Sequence, residues 1–375
     1  MATKAPAKKV PAKKPAASSK KADTRKILTI GFIGTGGIST SHINALAQIP
    51  DVKIVAGCDI RPERLEWFKK QTGCADAAVY TDYNEMLAKE KLDIVDVCTP
   101  NGVHCPASIA ASKAGCNVIV EKPMAMNPAE CQKMIDAAKA AKKLLCCGFQ
   151  IRYSPPVQMF KRAMEAGLIG DILYAKVHAM RRRGVPNWGV FGQKELQGGG
   201  PMIDIGVHQI ESCHYAMGEP EPVAASGMTW TYMGNKKSDV VSIWPNWDYK
   251  TYTVEDLAVA QVRFKNGTLM QVESSFCANI PEDTAYWEII GTKGGFSTKD
   301  CTLWHDLGGT MVNSKAGFLP ANPWPADFVS KLTDFINAIR TGSKLTTPGE
   351  EGLMVQKILD GIYRSAEKGG KEVSI

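Results

Sequence analysis

Leu28-Thr29-Ile30-Gly31-Phe32-Ile33 runs directly into Gly34-Thr35-Gly36-Gly37-Ile38-Ser39, a β-branched, apolar strand pattern that breaks into glycines and then into a helix pattern. Gly34 and Gly36 hold the first two positions of a Gly-x-Gly-x-x-Gly dinucleotide fingerprint, and Ser39 stands where the third glycine would be. The first glycine allows the tight turn, and the second lets the backbone approach a pyrophosphate at the helix N-terminus. Thr35, Gly37 and Ile38 complete that turn and are candidate cofactor contacts with it. Context strengthens the fingerprint, because a second strand pattern follows and ends at Asp59, 23 residues beyond Gly36. An acid there accepts the adenosine ribose hydroxyls and repels a 2′-phosphate, which favours NAD. Arg61 keeps NADP open, since an arginine in that loop can engage a phosphate. The plainer reading of Asp59 is a helix cap before Pro62.

Outward from this turn, short β-branched runs alternate with amphipathic segments, the pattern of a parallel sheet with crossover helices. Strands are expected at Leu28 to Ile33, Lys53 to Cys58, Ala77 to Tyr80, Ile94 to Cys98, Val118 to Val120 and Leu144 to Cys147. Helices are expected at Ser39 to Gln48, Pro62 to Gln71 and Pro128 to Lys142. Six strands in this rhythm make a complete doubly wound sheet. After residue 150 the rhythm changes to a helix, a strand at Ile172 to Met180, another helix and a run of strands. Val254 to Phe264 and Leu269 to Phe276 flank the hairpin signal Lys265-Asn266-Gly267, and Ala285 to Ile290 adds another strand, which predicts a mainly antiparallel sheet. Two amphipathic helices, Ala326 to Arg340 and Gly349 to Ser365, close the chain and are free to pack back on the first domain. The expected division is a tail over 1–25, a nucleotide-binding domain over 26–150 and a second domain over 151–375.

Net charge is +7, and residues 1 to 22 carry seven lysines and no acid, so the rest of the chain balances to zero. A balanced body argues against nucleic-acid binding by the domains, which leaves the Lys-rich tail as the place for it. The tail lacks aromatics and reads as disordered. No signal-peptide core and no run of about 18 apolar residues appears, so a soluble cytoplasmic protein is expected. The eleven cysteines include Cys58, Cys98, Cys146 and Cys147 within strand patterns and show no zinc spacing. They read as buried small side chains in a reducing compartment, with no metal site.

Candidate chemistry lies at the carboxyl ends of the strands, where open α/β sheets bind ligands. Cys98-Thr99-Pro100-Asn101 delivers Thr99 and Asn101 to that edge, and His104 is either a contact or a cap of the following helix. Asn117-Val118-Ile119-Val120-Glu121-Lys122-Pro123 ends a strand on a lysine whose backbone is restricted by the proline. In the second half, Gly198-Gly199-Gly200-Pro201 leads into Met202-Ile203-Asp204-Ile205-Gly206-Val207-His208. Asp204 and His208 are four apart and share a helical face, where a carboxylate can tune an imidazole into a general base or simply make a local hydrogen bond.

The glycine turn, Asp59, Thr99-Pro100-Asn101 with His104, Glu121-Lys122-Pro123, Arg152-Tyr153 and Asp204-Ile205-Gly206-Val207-His208 together resemble the glucose-fructose oxidoreductase and inositol dehydrogenase family, Gfo/Idh/MocA, from about Ile27 to the C-terminus. The resemblance implies a Rossmann domain, an open-faced C-terminal α/β domain that mediates dimers or tetramers, and NAD(P)-dependent oxidation or reduction of sugars and polyols. It implies catalytic Lys122, Asp204 and His208, with Lys122 preceding a cis proline, and cofactor contacts that extend to Pro100, Glu121, Lys122 and Arg152. Tyr153, Arg181, Trp188 and Tyr286 are weaker candidates for the substrate side, because arginines on a strand and loop are commonly solvated. Two other readings stand beside simple dehydrogenation: hydrolysis or epimerisation through a transient keto-sugar with recycled NAD, and a non-catalytic NAD-binding protein.

Overall fold

The computed structural model describes residues 26–375, so the expected tail lies outside the described residues. The first domain alternates β1 (Leu28–Ile33), α1 (Gly37–Leu46), β2 (Val52–Cys58), α2 (Pro62–Lys69), β3 (Ala78–Tyr80), α3 (Tyr83–Lys89), β4 (Ile94–Val97), α4 (Asn101–Lys113), β5 (Asn117–Val120), α5 (Pro128–Ala140) and β6 (Leu145–Cys147). The six strands are parallel in the order β3-β2-β1-β4-β5-β6. The order reverses between β1 and β4, which opens a crevice at their carboxyl ends. Both faces are covered, so β4 and β5 are mostly apolar, and Ile94, Val95, Val97, Val118, Ile119 and Val120 are all buried, as is Asp96 of β4. Each such burial contributes about 1.5–3 kcal/mol relative to exposure.

A single 3₁₀ turn, Ile151–Tyr153, leads into the second domain: α6 (Pro155–Glu165), β7 (Ile172–Met180), α7 (Lys194–Gln197), a π-helical turn at Met202–Gly206, α8 (Val207–Ala216), β8 (Pro222–Trp230), β9 (Leu257–Phe264), β10 (Leu269–Ser275), β11 (Thr284–Gly291), β12 (Gly294–Ser297), β13 (Thr302–Leu307), β14 (Thr310–Lys315), α9 (Ala326–Thr341), α10 (Gly349–Glu367) and β15 (Val373–Ser374). Nine strands form one sheet in the order β14-β13-β12-β11-β7-β10-β9-β8-β15. The expected antiparallel character holds except at its centre, where β7 and β10 are parallel. Helices cover one face, with Trp287 of β11 edge-on to Phe160 of α6, ring centroids 5.3 Å apart. The other face presents half-buried Lys176, His178, Gln271, Glu273, Tyr286 and Glu288. Strands β8 and β12 to β14 were not expected. Helix α9 returns to the first domain, where Phe328, Leu332, Phe335 and Ile336 join Leu28, Ile30 and Ile43 in one core.

Ten of the eleven cysteines are buried and none is disulfide-bonded. Among the described residues no helix is long and apolar enough to cross a membrane.

Candidate active site

The crevice begins at the glycine turn. Gly34 has φ +88° and lies against β4's exit, where an added β-carbon would stand 2.7 Å from the Cys98 carbonyl carbon. Only glycine serves there. Gly36 and Gly37 have open space where a β-carbon would sit, and α1 starts at Gly36 without a side-chain cap or an acid in its first turn. The α1 N-terminus is thus left free for an anion. Asp59 holds the turn from β2's exit, where Oδ2 accepts the Thr35 N–H at 3.0 Å and Oδ1 accepts the Arg61 N–H at 3.0 Å. It is no cap of α2, which carries no side-chain cap. Ile38, in the first turn of α1, packs against the core, and the Arg61 side chain is half-exposed.

At β4's exit Thr99 Oγ1 is buried without a partner, and Pro100 precedes α4. Asn101 spends its amide on the Gln197 carbonyl at 2.8 Å. His104 is fully buried, with ring nitrogens 2.8 Å from the Pro123 carbonyl oxygen and 2.9 Å from that of Thr99. Burial pushes its pKa down against the two carbonyl contacts, and a neutral ring can donate to only one of them. An open helix N-terminus, an orphaned hydroxyl and an acid at the second strand's end fit a dinucleotide.

Lys122 lies two residues beyond β5 and precedes a cis peptide to Pro123. Its Nζ donates to the Asp204 carbonyl at 2.7 Å and to Asp204 Oδ1 at 3.1 Å, in a pair that is mostly buried. Asp204 therefore gives its carboxylate to Lys122 rather than to His208. The π-helical winding of Met202–Gly206 carries Asp204, and His208 follows in the first turn of α8. His208 lines a cavity of about 320 Å³ with Met180, Arg181, Ile205, Gln209 and Thr284. Its Nδ1 is shut from solvent and has no partner. Burial and then the Lys122 charge hold its pKa well below the usual imidazole value, and the acid that opposes them is Glu121. A neutral imidazole that lines a cavity and feels a nearby ammonium group is equipped to take a proton.

Sequence reasoning missed what shapes this turn. Glu255, buried before β9, accepts the Gly200 N–H at 2.8 Å on Oε2 and the Met202 N–H at 3.2 Å on Oε1. Tyr363 of α10 donates to the same Oε1 at 2.8 Å. A β-carbon at Gly199 would collide with the Tyr363 hydroxyl, and one at Gly200 with the Glu255 carbonyl, so the glycines mark close approach rather than flexibility. The Gly-Gly-Gly-Pro run was the available signal; its partners, 55 residues and more away, were not.

Other expected contacts lie elsewhere. Arg152 is fully buried, pairs with Glu211 at 3.1 Å and Glu219 at 3.3 Å, and packs on Tyr215, an internal role that leaves it no approach to a cofactor. Glu121 turns into the interior, where Lys331 and His42 engage it. The Tyr153 hydroxyl donates to Asp334 of α9 at 2.9 Å. Tyr286 stacks on His178 on the uncovered sheet face, away from the His208 cavity. Arg181, unlike its neighbours Arg182 and Arg183, lines that cavity, its guanidinium 5.0 Å from the ring centre of Trp244, which in turn meets half-exposed Trp188 edge-on.

Family models match both halves of the chain: the Gfo/Idh/MocA oxidoreductase family's NAD-binding Rossmann fold over residues 28–149, and its C-terminal alpha/beta domain over 161–375. The chain belongs to the Gfo/Idh/MocA oxidoreductase family. It is 32% identical over 320 residues to D-glucoside 3-dehydrogenase of Escherichia coli K12, covering 85% of this chain and 89% of that protein. It is 28% identical to myo-inositol 2-dehydrogenase of Thermotoga maritima, over 86% of this chain and 91% of that one. The solved structure of levoglucosan dehydrogenase with NADH superposes with a TM-score of 0.81 over 93% of this chain and 99% of that one, at 23% identity, a likeness of fold. The protein is thus an NAD-dependent oxidoreductase, with its cofactor domain at residues 28–149.

Proposed function

We propose that this family member oxidises one secondary hydroxyl of a sugar-like ring, a D-glucoside first among candidates, or reduces the matching ketone, with Lys122, Asp204 and His208 as its catalytic set. The observation that carries the reading is the Lys122–Asp204 pair placed close enough for the Lys122 charge to act on His208, which itself lines a cavity. NAD, when held by the Gly34–Ile38 turn, Asp59 and Thr99, supplies the hydride acceptor.

His208 takes the hydroxyl proton as the carbonyl forms, because its depressed pKa keeps a lone pair available at neutral pH. Lys122 orients that hydroxyl and stabilises the negative charge that develops on its oxygen. Asp204 holds the ammonium in place from two oxygens, a positioning task that replaces the imidazole-tuning expected from spacing alone. Arg181, backed by Trp244, supplies a cationic and aromatic wall suited to a polyhydroxylated ring. The similarity to D-glucoside 3-dehydrogenase supports a glucoside over a polyol. The uncovered face of the nine-stranded sheet supports a homodimer or homotetramer, which light scattering of the purified protein would reveal.

Incubation with NAD and a panel of glucosides, free hexoses and inositols tests the reading. Stoichiometric NADH with glucosides is the expected result. Product without net NADH would place the reaction in the NAD-recycling class, and no product from any member would remove the assignment.

A further inference from the structure

Glu121 belongs to the segment that carries Lys122, yet its side chain turns the opposite way. Four ionisable groups from four elements meet there: His42 of α1, Asp96 of β4, Glu121 at β5's exit and Lys331 of α9, all buried. His42 Nδ1 lies 2.6 Å from Asp96 Oδ2, and its Nε2 lies 2.9 Å from Glu121 Oε1. Lys331 Nζ donates to the same Glu121 Oε1 at 2.9 Å. A ring with a carboxylate at each nitrogen donates from both only as an imidazolium. Burial is the largest influence and opposes that charge, as does Lys331, but the Asp96 charge and the hydrogen bonds to Asp96 and Glu121 together outweigh them, so the His42 pKa is raised. The four groups lie in a dry interior, with Phe328 against both the His42 ring and the Lys331 ammonium.

Stability is a weak reason for such a cluster, because desolvation costs several kcal/mol per ion and apolar side chains of equal volume would fasten α9 as well. Metal binding is a weak reason too. His42, Asp96 and Cys98 bring one ligand atom each within 4.8 Å, but the Cys98 thiol donates to Asp96 Oδ1, and burial holds it well above its usual pKa. The Lys331 ammonium, 3.1 Å from His42 Nε2, repels a cation. What the cluster does geometrically is fix Glu121. Its Oε1 is held by Lys331 and His42, and its Oε2 accepts the N–H of Lys122 at 3.2 Å. Gly148 leaves room for this, since a β-carbon there would stand 2.7 Å from Oε1.

We propose that Lys331 and His42 clamp Glu121 and, through it, the backbone of Lys122, so that a helix from the far end of the chain positions the active-site cation. The proposal rests on the assignment of Lys122 to catalysis. Lys331, His42 and Glu121 are positioning residues, remote from substrate. Glu121 and Lys331 also leave an electrostatic signature on His208, which feels Lys122, Glu121, Lys331 and Arg181, shares its cavity with Asp283, and has Asp204 paired to Lys122. Glu121 raises the His208 pKa and Lys331 lowers it. Neutralising each therefore moves the acid limb of kcat/KM in opposite directions.

The test uses the full chain with Glu121→Gln, Lys331→Met and the double variant. Each single variant is expected to lose roughly tenfold or more in kcat while KM and NADH affinity stay within about twofold. The acid limb should move to lower pH in Glu121→Gln and to higher pH in Lys331→Met. If Lys331 acts through Glu121, the double variant is no slower than Glu121→Gln. Should Lys331→Met fail to fold, Glu121→Gln, which keeps volume and an acceptor for the Lys122 N–H, carries the test by its kcat and its limb. Unchanged kcat in Glu121→Gln, limbs that move together or stay, or multiplicative losses in the double variant would overturn the clamp. Lys122→Ala measured alongside separates the two ideas. Wild-type turnover there removes the catalytic assignment, whereas loss there with an unaffected Glu121→Gln removes the clamp alone.

Discussion

The chain holds two glycine-rich entries to helical turns, and they are built for opposite ends. At Gly34–Gly37 the helix N-terminus has no side-chain cap and opens onto empty space. At Gly198–Gly200 the N–H groups of the following turn are closed by Glu255, and Tyr363 and the Glu255 backbone fill the space that β-carbons would occupy. One turn offers its backbone to a ligand; the other spends its backbone on the protein to hold Asp204 and His208. Similar composition therefore says little until the partners of the N–H groups are known.

Glu255→Ala should break the comparison most severely. It leaves the Gly200 and Met202 N–H groups and the Tyr363 hydroxyl unpaired in the interior, so kcat should fall by about two decades and stability by roughly 2–4 kcal/mol in denaturant melts. Glu255→Gln, which keeps one acceptor oxygen, should recover part of both. The two glycines of the open turn should separate fold from binding. Gly34→Ala forces a left-handed residue into the β4 exit and should cost about 2–4 kcal/mol of stability. Gly36→Ala meets nothing in the protein, so its melting temperature should match wild type while NADH fluorescence titration shows about tenfold weaker binding or more. The smallest effect is expected from Asp59→Asn. It keeps an acceptor for Thr35 but loses the charge, so NAD should weaken only a few-fold while the NADP-to-NAD ratio of kcat/KM rises.

The open turn was readable because its signal is local: strand, glycines, helix and an acid one unit later, all between Leu28 and Asp59. The doubly wound sheet followed from the same rhythm. Lys122 was singled out by its strand and proline, and Asp204 and His208 by their spacing, but the Asp204 carboxylate went to Lys122, 82 residues away, because the ammonium competes better than a neutral imidazole for an anion. Arg152 and Glu121 misled for a related reason. A charged residue inside a motif reads as a ligand contact, and only long-range partners such as Lys331, 210 residues beyond Glu121, show it to be structural. Strand β8 begins at a proline and is rich in Ala, Ser and Gly, which hides the alternation a strand normally shows.

The central claim, that Lys122 and His208 perform the proton and charge work of hydride transfer, is tested most directly by steady-state NADH formation in Lys122→Ala and His208→Ala, with the pH dependence of wild-type kcat/KM. Because the His208 pKa is depressed and its neutral form is the active one, wild-type kcat/KM should stay level as pH falls through about 6.5 and drop only at more acid pH. Each variant should lose roughly two decades or more of kcat with NADH affinity preserved, and His208→Ala should lose the acid limb. Wild-type turnover in both variants, or an acid limb that survives His208→Ala unchanged, would contradict the account.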